Sequence, residues 1–285
     1  MASTRRPEHK APPEIFYNED EAHKYTSNSR IMEIQSKMTE RAMELLALPD
    51  DGTPKYLLDL GCGSGLSGEI LEENGNYWVG VDISPSMLDV CVERGTETGD
   101  MIQLDLGHGL PFRAGSFDGA ISISALQWLC NVDKTGQKPA KRLYRLFSTL
   151  YACLARGSKA VFQFYPENSD QCSLITSQAM RAGFYGGLVI DFPNSSKAKK
   201  VFLVLFTGGV PKSMPKALGE DEMVEDLPDS INYSNKRERV KALRQGKASV
   251  KSRQWILEKK ERRRRQGKDV RVDTKYTGRK RSGRF

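Results

Sequence analysis

Long apolar runs are missing from the 285-residue chain. The longest strongly apolar stretch, Val201 to Phe206, falls far short of the roughly 18 residues that a membrane-spanning helix needs. The N-terminal sequence MASTRRPEHK contains no apolar segment of the kind found in secretory signals. We therefore expect no transmembrane helix, no secretory signal and no membrane partner.

Cysteine is scarce, with five residues at wide and uneven spacing and no Cys-x-x-Cys pair. The five are Cys62, Cys91, Cys130, Cys153 and Cys172. An odd count without paired spacing argues against a disulfide scaffold and against a cysteine-rich zinc site. The pattern is typical of a protein in a reducing compartment, and the sequence predicts no bound metal.

Charge is divided unevenly along the chain, although the formal net charge is only +8. Residues 230–285 contain 21 Lys and Arg but 5 Asp and Glu, which gives a net charge of +16 and leaves −8 on residues 1–229. A tail this basic indicates a polyanionic partner, most simply nucleic acid. The alternative is a solvated helical tail that has no partner.

Composition divides the chain into four regions. Residues 1–50 form a polar lead-in followed by a helix over Ser29–Leu48, where apolar residues recur at helical spacing. Residues 51–210 are the main folded domain, and residues 211–229 form an acidic linker that contains three prolines. Residues 230–285 form the basic tail, which the charge pattern predicts to bind RNA and to direct nuclear import.

The main domain alternates short apolar strands with helices. The predicted strands are Tyr56–Leu60, Tyr77–Ile83, Met101–Leu104, Phe117–Ser124, Ala160–Phe164, Gly187–Ile190 and Lys200–Leu205. The predicted helices between them include Pro85–Glu93, Pro139–Leu154 and Asp170–Ala182. Alternation at this spacing predicts an α/β fold with a mainly parallel sheet covered by helices on both faces.

A glycine-rich stretch, LLDLGCGSG at residues 57–65, is the most informative part of the sequence. An apolar strand runs into Gly61, Gly63 and Gly65, and a helix follows from Leu66. Glycines at this place allow a tight turn and a close approach of backbone to a ligand. Residues 63–68 also match the dinucleotide pattern G-x-G-x-x-G, so the glycines alone leave the cofactor open.

Three aspartates end three successive predicted strands. Asp59 lies two residues before the first glycine, where a carboxylate would repel a pyrophosphate but attract the ammonium group of S-adenosylmethionine. Asp82 ends the next strand, where it can accept hydrogen bonds from ribose hydroxyls, and Asp105 ends the third. Each one alone is typical of a helix cap or turn, but the set in register with the glycine loop predicts a ligand site.

The segments DLGCGSG, VD and the aspartate after the third strand resemble those of class I S-adenosylmethionine-dependent methyltransferases. The resemblance covers roughly residues 50–210 and implies a Rossmann-like seven-stranded sheet, with six strands parallel and the last antiparallel. It implies that the cofactor-binding residues are Asp59, Gly61, Gly63 and Gly65 for the methionine moiety, Asp82 and Ile83 for the ribose, and Asp105 and Leu106 for the adenine.

The methyl acceptor is narrowed by two absent motifs. No Asn/Asp-Pro-Pro-Tyr/Phe segment follows the fourth strand, which argues against methylation of exocyclic amino groups. No cysteine follows a proline, which argues against cytosine-C5 chemistry. A hydroxyl, or a centre that is already nucleophilic such as guanine N7, remains. The aromatic residues Trp128, Phe164 and Tyr165 follow strands four and five, where they can stack on a base or simply fill the core.

The whole chain also resembles the eukaryotic small-subunit ribosomal RNA guanine-N7 methyltransferases. The resemblance is carried by EAHKYTSNSR at residues 21–30, SALQWLC at 124–130 and KYTGRKRSGR at 275–284. It implies 40S subunit biogenesis with pre-40S ribosomal RNA as partner, a small zinc-binding activator subunit in a heterodimer, and a nuclear location. It also implies that Tyr25 and Arg30 lie near the cofactor.

Two other classes of function stay open. One is a small-molecule methyltransferase whose basic tail serves only for targeting. The other is a ribosome-assembly factor whose catalytic activity is dispensable.

For the partner, the superfamily's strand order predicts that the third strand lies at a free sheet edge, where an activator strand can pair with it.

Overall fold

The structure is a computed structural model that describes residues 6–49, 51–133, 135–195, 198–209, 214–219, 253–265, 270–275 and residue 277. The chain divides into two units, residues 1–224 and residues 225–285. Most of the predicted linker 211–229 and the first part of the tail lie outside the described residues. None of the helices in the described ranges is long and apolar enough to span a membrane.

The first unit is built on a seven-stranded sheet with the order β3-β2-β1-β4-β5-β7-β6. The strands are β1 Tyr56–Leu60, β2 Tyr77–Asp82, β3 Gly99–Gln103, β4 Phe117–Ile123, β5 Leu154–Phe164, β6 Tyr185–Asp191 and β7 Lys200–Phe206. β1 to β5 pair in parallel, whereas β7 is antiparallel to both β5 and β6. The predicted sheet of six parallel strands and one antiparallel strand is confirmed.

Helices cover both faces of the sheet, as predicted. They are α1 Pro13–Phe16, α2 Glu19–Ser27, α3 Ser29–Leu46, α4 Leu66–Glu73, α5 Pro85–Arg94, α6 Pro139–Cys153 and α7 Ser169–Arg181. One buried cluster joins α6 and α7 to the sheet and the other joins α3, α4 and α5 to its opposite face. Short 3₁₀ turns at Leu106–His108 and Leu126–Cys130 follow β3 and β4.

Trp78 on β2 explains the third glycine of the dinucleotide-like pattern. Its side chain is almost fully buried, and a Cβ on Gly68 would lie 2.2 Å from the indole ring. Gly68 is therefore required for close packing of α4 on the sheet, which is a role independent of which cofactor binds.

A buried ion pair fixes the segment that follows β7. The Arg41 guanidinium on α3 donates to both carboxylate oxygens of Asp191, at 2.8 and 3.1 Å, and to the carbonyl of Lys216 at 3.0 Å. The backbone N–H of Leu218 donates to Asp191 Oδ1 at 2.8 Å. The described residues 214–219 of the predicted linker are thus held against the folded domain.

In the second unit the structure describes one helix, α8 Arg253–Arg265, and residues 270–275 and 277, which have no regular secondary structure. Lys260 Nζ donates to Asp273 Oδ1 at 2.7 Å, and the guanidinium of Arg264 pairs with the other oxygen. These hydrogen bonds lower the pKa of Asp273. The basic cluster of residues 259–265 therefore lies on a helix, and two of its cations are paired with an acid within the tail.

Candidate cofactor and acceptor site

A cavity of about 410 Å³ opens at the carboxyl ends of the parallel strands. Its wall contains the loops after β1, β2, β3 and β4, together with residues from the N-terminal segment. This position is the usual ligand site of open α/β sheets, and the volume lies within the range of small-molecule pockets. Of the predicted residues, those that line the cavity are Tyr25, Gly61, Gly63, Asp82, Ile83, Asp105, Leu106, Trp128 and Tyr165.

The glycine loop brings backbone to the cavity wall. Gly61 has φ +78°, and a Cβ there would lie 2.3 Å from the Cβ of Ala125. The N–H of Gly63 donates to Asp82 Oδ2 at 2.9 Å, which ties the loop after β1 to the end of β2. A side chain at position 61 would collide with the loop after β4, so the cavity depends on glycine there.

Asp82 organises two loops at once. Its Oδ1 accepts from the N–H of Ser84 at 2.9 Å, while Oδ2 accepts from Gly63. Burial raises the pKa of Asp82, although these backbone hydrogen bonds oppose the shift. Because a carboxylate offers about four acceptor positions, it can accept further hydrogen bonds from a ligand's hydroxyls.

Asp59 is fully buried on β1 and does not line the cavity. The hydroxyl of Ser67, which does line it, donates to Asp59 Oδ2. Asp59 Oδ1 has no hydrogen-bond partner among the residues that the structure describes. Burial raises the pKa of Asp59 to about 7, with Asp82 adding to the shift and Ser67 opposing it. The hydroxyl of Ser67 therefore lies between the Asp59 carboxyl and the cavity.

Asp105 lies at the cavity wall after β3, paired with a residue that the sequence analysis missed. Its Oδ1 accepts from the N–H of Gly107 and from Arg142 Nη2, both at 2.8 Å. Arg142 belongs to the first turn of α6 and also lines the cavity. Nothing in the sequence marks this arginine, because only the packing of α6 on the 3₁₀ turn after β3 brings it to Asp105.

Buried polar atoms without partners face this region. Gln127 is 5% exposed and lines the cavity; its Nε2 donates to the carbonyl of Ser124 at 2.8 Å. Gln127 Oε1 and the hydroxyl of the cavity-lining Ser64 find no hydrogen-bond partner within the described part of the chain. A buried polar atom costs free energy until it is paired, so the cavity is suited to a ligand with several donors and acceptors.

Aromatic side chains form a second wall. The Trp128 ring lies 5.8 Å from that of Tyr17 and 6.0 Å from that of Phe16, and Tyr17 lies 5.8 Å from Tyr25. Burial raises the pKa of both tyrosines well above the usual value, so their hydroxyls stay protonated at neutral pH. Tyr17 lines the cavity, whereas Phe16 only packs against Trp128. Tyr17 was not predicted as a site residue, since it belongs to the segment interpreted as a polar lead-in.

The N-terminal segment is tied down around the cavity at three places. Arg6 donates to the carbonyls of Tyr165 and Pro166 at 2.9 and 3.0 Å. Asn131 Nδ2 donates to the carbonyl of Glu8 at 2.8 Å, and the hydroxyl of Ser84 donates to the backbone carbonyl of Tyr17 at 3.0 Å. The described part of this lead-in is thus a component of the site.

Besides Asp59, three predicted residues do not line the cavity. Phe164 is fully buried in the core beside α6 and α7, so its predicted role in base stacking is wrong. Arg30 is exposed near the start of α3, away from the cavity wall. Gly65 lies at the start of α4. A Cβ there would lie 2.5 Å from Cys91 Sγ, so glycine at this position allows the start of α4 to pack closely against α5.

Two family models match the chain. One, described as "Methyltransferase domain", matches residues 58–162, which include β2 to β4, most of β1 and β5, and most of the residues that line the cavity. The other, described as "Methyltransferase involved in Williams-Beuren syndrome", matches residues 205–283 and so includes the basic tail.

A solved structure supports the fold. The chain is similar to phosphoethanolamine N-methyltransferase 2 of Haemonchus contortus, solved with phosphomonomethylethanolamine and S-adenosylhomocysteine. The TM-score is 0.53 and the identity 17%, over 68% of this chain and 58% of that one. At this identity the likeness shows the class I methyltransferase fold alone.

Relatives of known activity are similar over their whole length. The chain is 60% identical to the 18S rRNA (guanine-N(7))-methyltransferase of Mus musculus, an alignment that covers 100% of both chains. It is 51% identical to the 18S rRNA (guanine(1575)-N(7))-methyltransferase of Saccharomyces cerevisiae, over 98% of this chain and 99% of that one. At this identity over the whole length of both relatives, the chain belongs to the family of 18S rRNA (guanine-N7)-methyltransferases.

Proposed function

We propose that this chain transfers a methyl group from S-adenosylmethionine to N7 of a guanine in small-subunit ribosomal RNA, during 40S subunit biogenesis. The observation that carries the proposal is a preformed cavity in the cofactor position of a chain that matches rRNA guanine-N7 methyltransferases end to end. The guanine equivalent to the one that the name of the yeast relative specifies is the proposed acceptor.

The residues at the cavity fit S-adenosylmethionine. Asp82 would accept the ribose hydroxyls, and the loop at Gly61 and Gly63 would lie along the methionine moiety. The unpartnered atoms Ser64 Oγ and Gln127 Oε1 offer a donor and acceptors to its polar groups. The buried carboxyl of Asp59 would supply negative charge near the ammonium group through Ser67.

The main task of this chain in the reaction is to position the guanine base relative to the methyl group. When bound, S-adenosylmethionine carries the activated methyl group on a positively charged sulfur. Guanine N7 has a free lone pair and loses no proton on attack, so the protein needs to orient the base in line with the methyl group. Three aromatic residues that line the cavity, Tyr17, Trp128 and Tyr165, are suited to hold a purine ring by stacking.

A pair of substitutions tests whether Tyr165 stacks on the base. Tyr165 lines the cavity, whereas its neighbour Phe164 is fully buried in the core. We expect Tyr165→Leu to lower kcat/KM for RNA by about 5- to 150-fold, because stacking on a base contributes about 1–3 kcal/mol. The control, Phe164→Leu, should lower thermal stability and leave kcat/KM per folded molecule nearly unchanged. Equal kinetic losses in both variants would contradict the assignment of Tyr165.

The raised pKa of Asp59 predicts that cofactor affinity depends on pH. As the pH rises towards about 7, the Asp59 carboxyl loses its proton and attracts an ammonium group more strongly. We therefore expect the affinity for S-adenosylmethionine to increase by up to about tenfold per pH unit below pH 7. Asp59→Asn should flatten this dependence in a calorimetric titration series, and an unchanged slope in that variant would exclude Asp59 as the source.

The partner is proposed from the free edge of the sheet. β3 lies at the end of the strand order, and its Ile102 is 36% exposed. The unpaired backbone groups of an edge strand invite pairing with another chain. We propose that a small zinc-binding activator subunit adds a strand to β3. Because Asp105 follows β3 directly, ordering of this edge would also stabilise one side of the cavity.

A charged residue at this edge tests the partner proposal. We expect Ile102→Lys to weaken co-purification with the activator and to reduce solubility of the co-expressed chain. Tyr185→Lys is the matched control, since Tyr185 is a 44% exposed residue of β6 at the opposite edge of the same sheet. Undiminished partner binding by the Ile102 variant, or equal losses in both, would count against pairing at β3.

The basic tail is proposed to supply RNA affinity and nuclear import. The cluster KKERRRR at residues 259–265 has the composition of a nuclear signal and lies within α8. A nuclear location follows from this proposal and fits a role in making ribosomal subunits. Fusing residues 230–285 to a fluorescent protein should direct it to the nucleus, and a uniformly distributed fusion would remove the tail as the import signal.

A further inference from the structure

One helix of the catalytic domain is basic on a domain that is acidic as a whole. α6 contains Lys141, Arg142 and Arg145 but no Asp or Glu, and Lys138 caps its N-terminus. The domain of residues 51–210 carries a net charge of −2, so this helix is basic within a slightly acidic domain. Leu143, Leu146, Phe147 and Leu150 pack into the core, which leaves the opposite side of the helix to the solvent.

The cations on the solvent side follow helical spacing. Lys138, Lys141 and Arg145 are separated by three and four residues, so they lie on one face, and all three are exposed. Within the described part of the chain none of the three forms an ion pair with a carboxylate. By contrast, the exposed Lys24 and Lys37 of α2 and α3 pair with Glu21 and Glu33 at 2.7 and 2.9 Å.

An aromatic side chain lies beside these cations. Tyr144 is 40% exposed, and the guanidinium of Arg181 on α7 lies 5.2 Å from the centre of its ring. The hydrogen bond from Arg181 goes to Gln178, not to a carboxylate, so the arginine keeps its charge available. Surfaces that bind RNA typically combine exposed cations, which contact the backbone phosphates, with exposed aromatic rings, which stack on unstacked bases.

The same helix reaches the cavity. Arg142 lies in the first turn of α6, one residue after Lys141, and lines the cavity wall through its hydrogen bond to Asp105. The exposed cations therefore begin within one helical turn of the site and continue outward along α6. RNA lying along this face would have its backbone next to the cavity in which one of its bases must be held.

We propose that the exposed face formed by Lys138, Lys141, Tyr144, Arg145 and Arg181, here called the α6 face, binds the RNA backbone beside the target guanine. The proposal rests on the proposed function and deepens it, because it assigns a second RNA contact on the catalytic domain, separate from the basic tail. The α6 face holds the substrate near the cavity, whereas the tail supplies affinity from a distance along the chain. The cations of the α6 face complement phosphates, but they would also attract an acidic protein. RNA is favoured as the occupant because the exposed Tyr144 adds a stacking surface for a base.

The test compares two double variants of the full chain in complex with its activator. Lys141→Gln/Arg145→Gln neutralises the α6 face, and Lys24→Gln/Lys37→Gln removes the same net charge elsewhere on the domain. The probe is an 18S rRNA fragment that contains the acceptor guanine, titrated at several salt concentrations. Loss of two phosphate contacts should reduce the salt slope by about 1.4 and weaken binding about tenfold near 0.15 M salt. The control variant should bind like the unmodified chain.

The readouts separate this inference from the proposed function. The α6 variant should keep its affinity for S-adenosylmethionine and its activator, while its KM for RNA rises. An RNA affinity and salt slope equal to those of the unmodified chain would overturn the α6 face, and so would a loss of activator binding in place of RNA binding. Failure of the unmodified complex to methylate the fragment would instead overturn the proposed function, whatever the variants do in the binding assay.

Discussion

Asp82→Ala is expected to abolish most of the affinity for S-adenosylmethionine. The substitution removes the proposed acceptor of two ribose hydrogen bonds, each contributing about 1.5–3 kcal/mol before compensation. It also removes the carboxylate that accepts the N–H groups of Gly63 and Ser84, so the loops after β1 and β2 lose their common anchor. Since about 1.4 kcal/mol corresponds to a factor of ten, we expect the Kd to rise at least about tenfold.

Calorimetry with a matched variant tests this expectation. Asp89→Ala removes an exposed aspartate from α5, a few residues further along the chain, and should leave the Kd unchanged. Thermal unfolding and circular dichroism show whether each variant keeps its fold. A folded Asp82→Ala chain that binds S-adenosylmethionine as tightly as the unmodified chain would remove Asp82 from the cofactor site.

Truncation after Asp229 is expected to cause the largest loss of RNA affinity. It removes 21 Lys and Arg from a chain whose remainder carries a net charge of −8. Each phosphate contact contributes about 0.7 to the salt slope for single-stranded RNA, so the loss of roughly four contacts weakens binding about a hundredfold near 0.15 M salt. Affinity for S-adenosylmethionine should persist, because the cavity is formed by residues of the first unit.

A full-length chain with glutamine in place of the seven residues 259–265 is the control for tail length. It should show an intermediate loss and an intermediate salt slope if affinity follows charge. Should the truncated chain bind RNA with full affinity and the same salt slope, the tail is not the RNA anchor, and the domain alone must supply it.

Strand positions and the chemistry at strand ends could be predicted because parallel buried strands have a strong signature. β1 was predicted with the bounds that the structure shows, and Asp82 and Asp105 lie at one rim as expected. The glycine pattern could not distinguish the cofactors, because Gly68 is set by the Trp78 ring and would be needed with any ligand. Asp59 was placed at the correct strand, but sequence position does not say how deeply a side chain is buried.

The parts of the site that sequence reasoning missed depend on contacts between distant segments. Arg6 donates to the carbonyls of Tyr165 and Pro166, which are about 160 positions later in the chain, and Arg142 of α6 donates to Asp105 after β3. Neither contact leaves a periodic or compositional signal. Phe164 was mistaken for a site residue because the end of β5 is buried on both faces, so alternation along the strand does not show which aromatic residue reaches the cavity.

The most direct test of the proposed function is a map of N7-methylguanine in 18S rRNA from cells with and without this chain. We predict that methylation at one guanine is lost without the chain, restored by the unmodified chain and not restored by Asp82→Ala. The level of 40S subunits, measured in the same cells, shows whether the presence of the chain or its catalysis supports assembly. Full N7-methylation of 18S rRNA in cells that lack the chain would contradict the proposed activity.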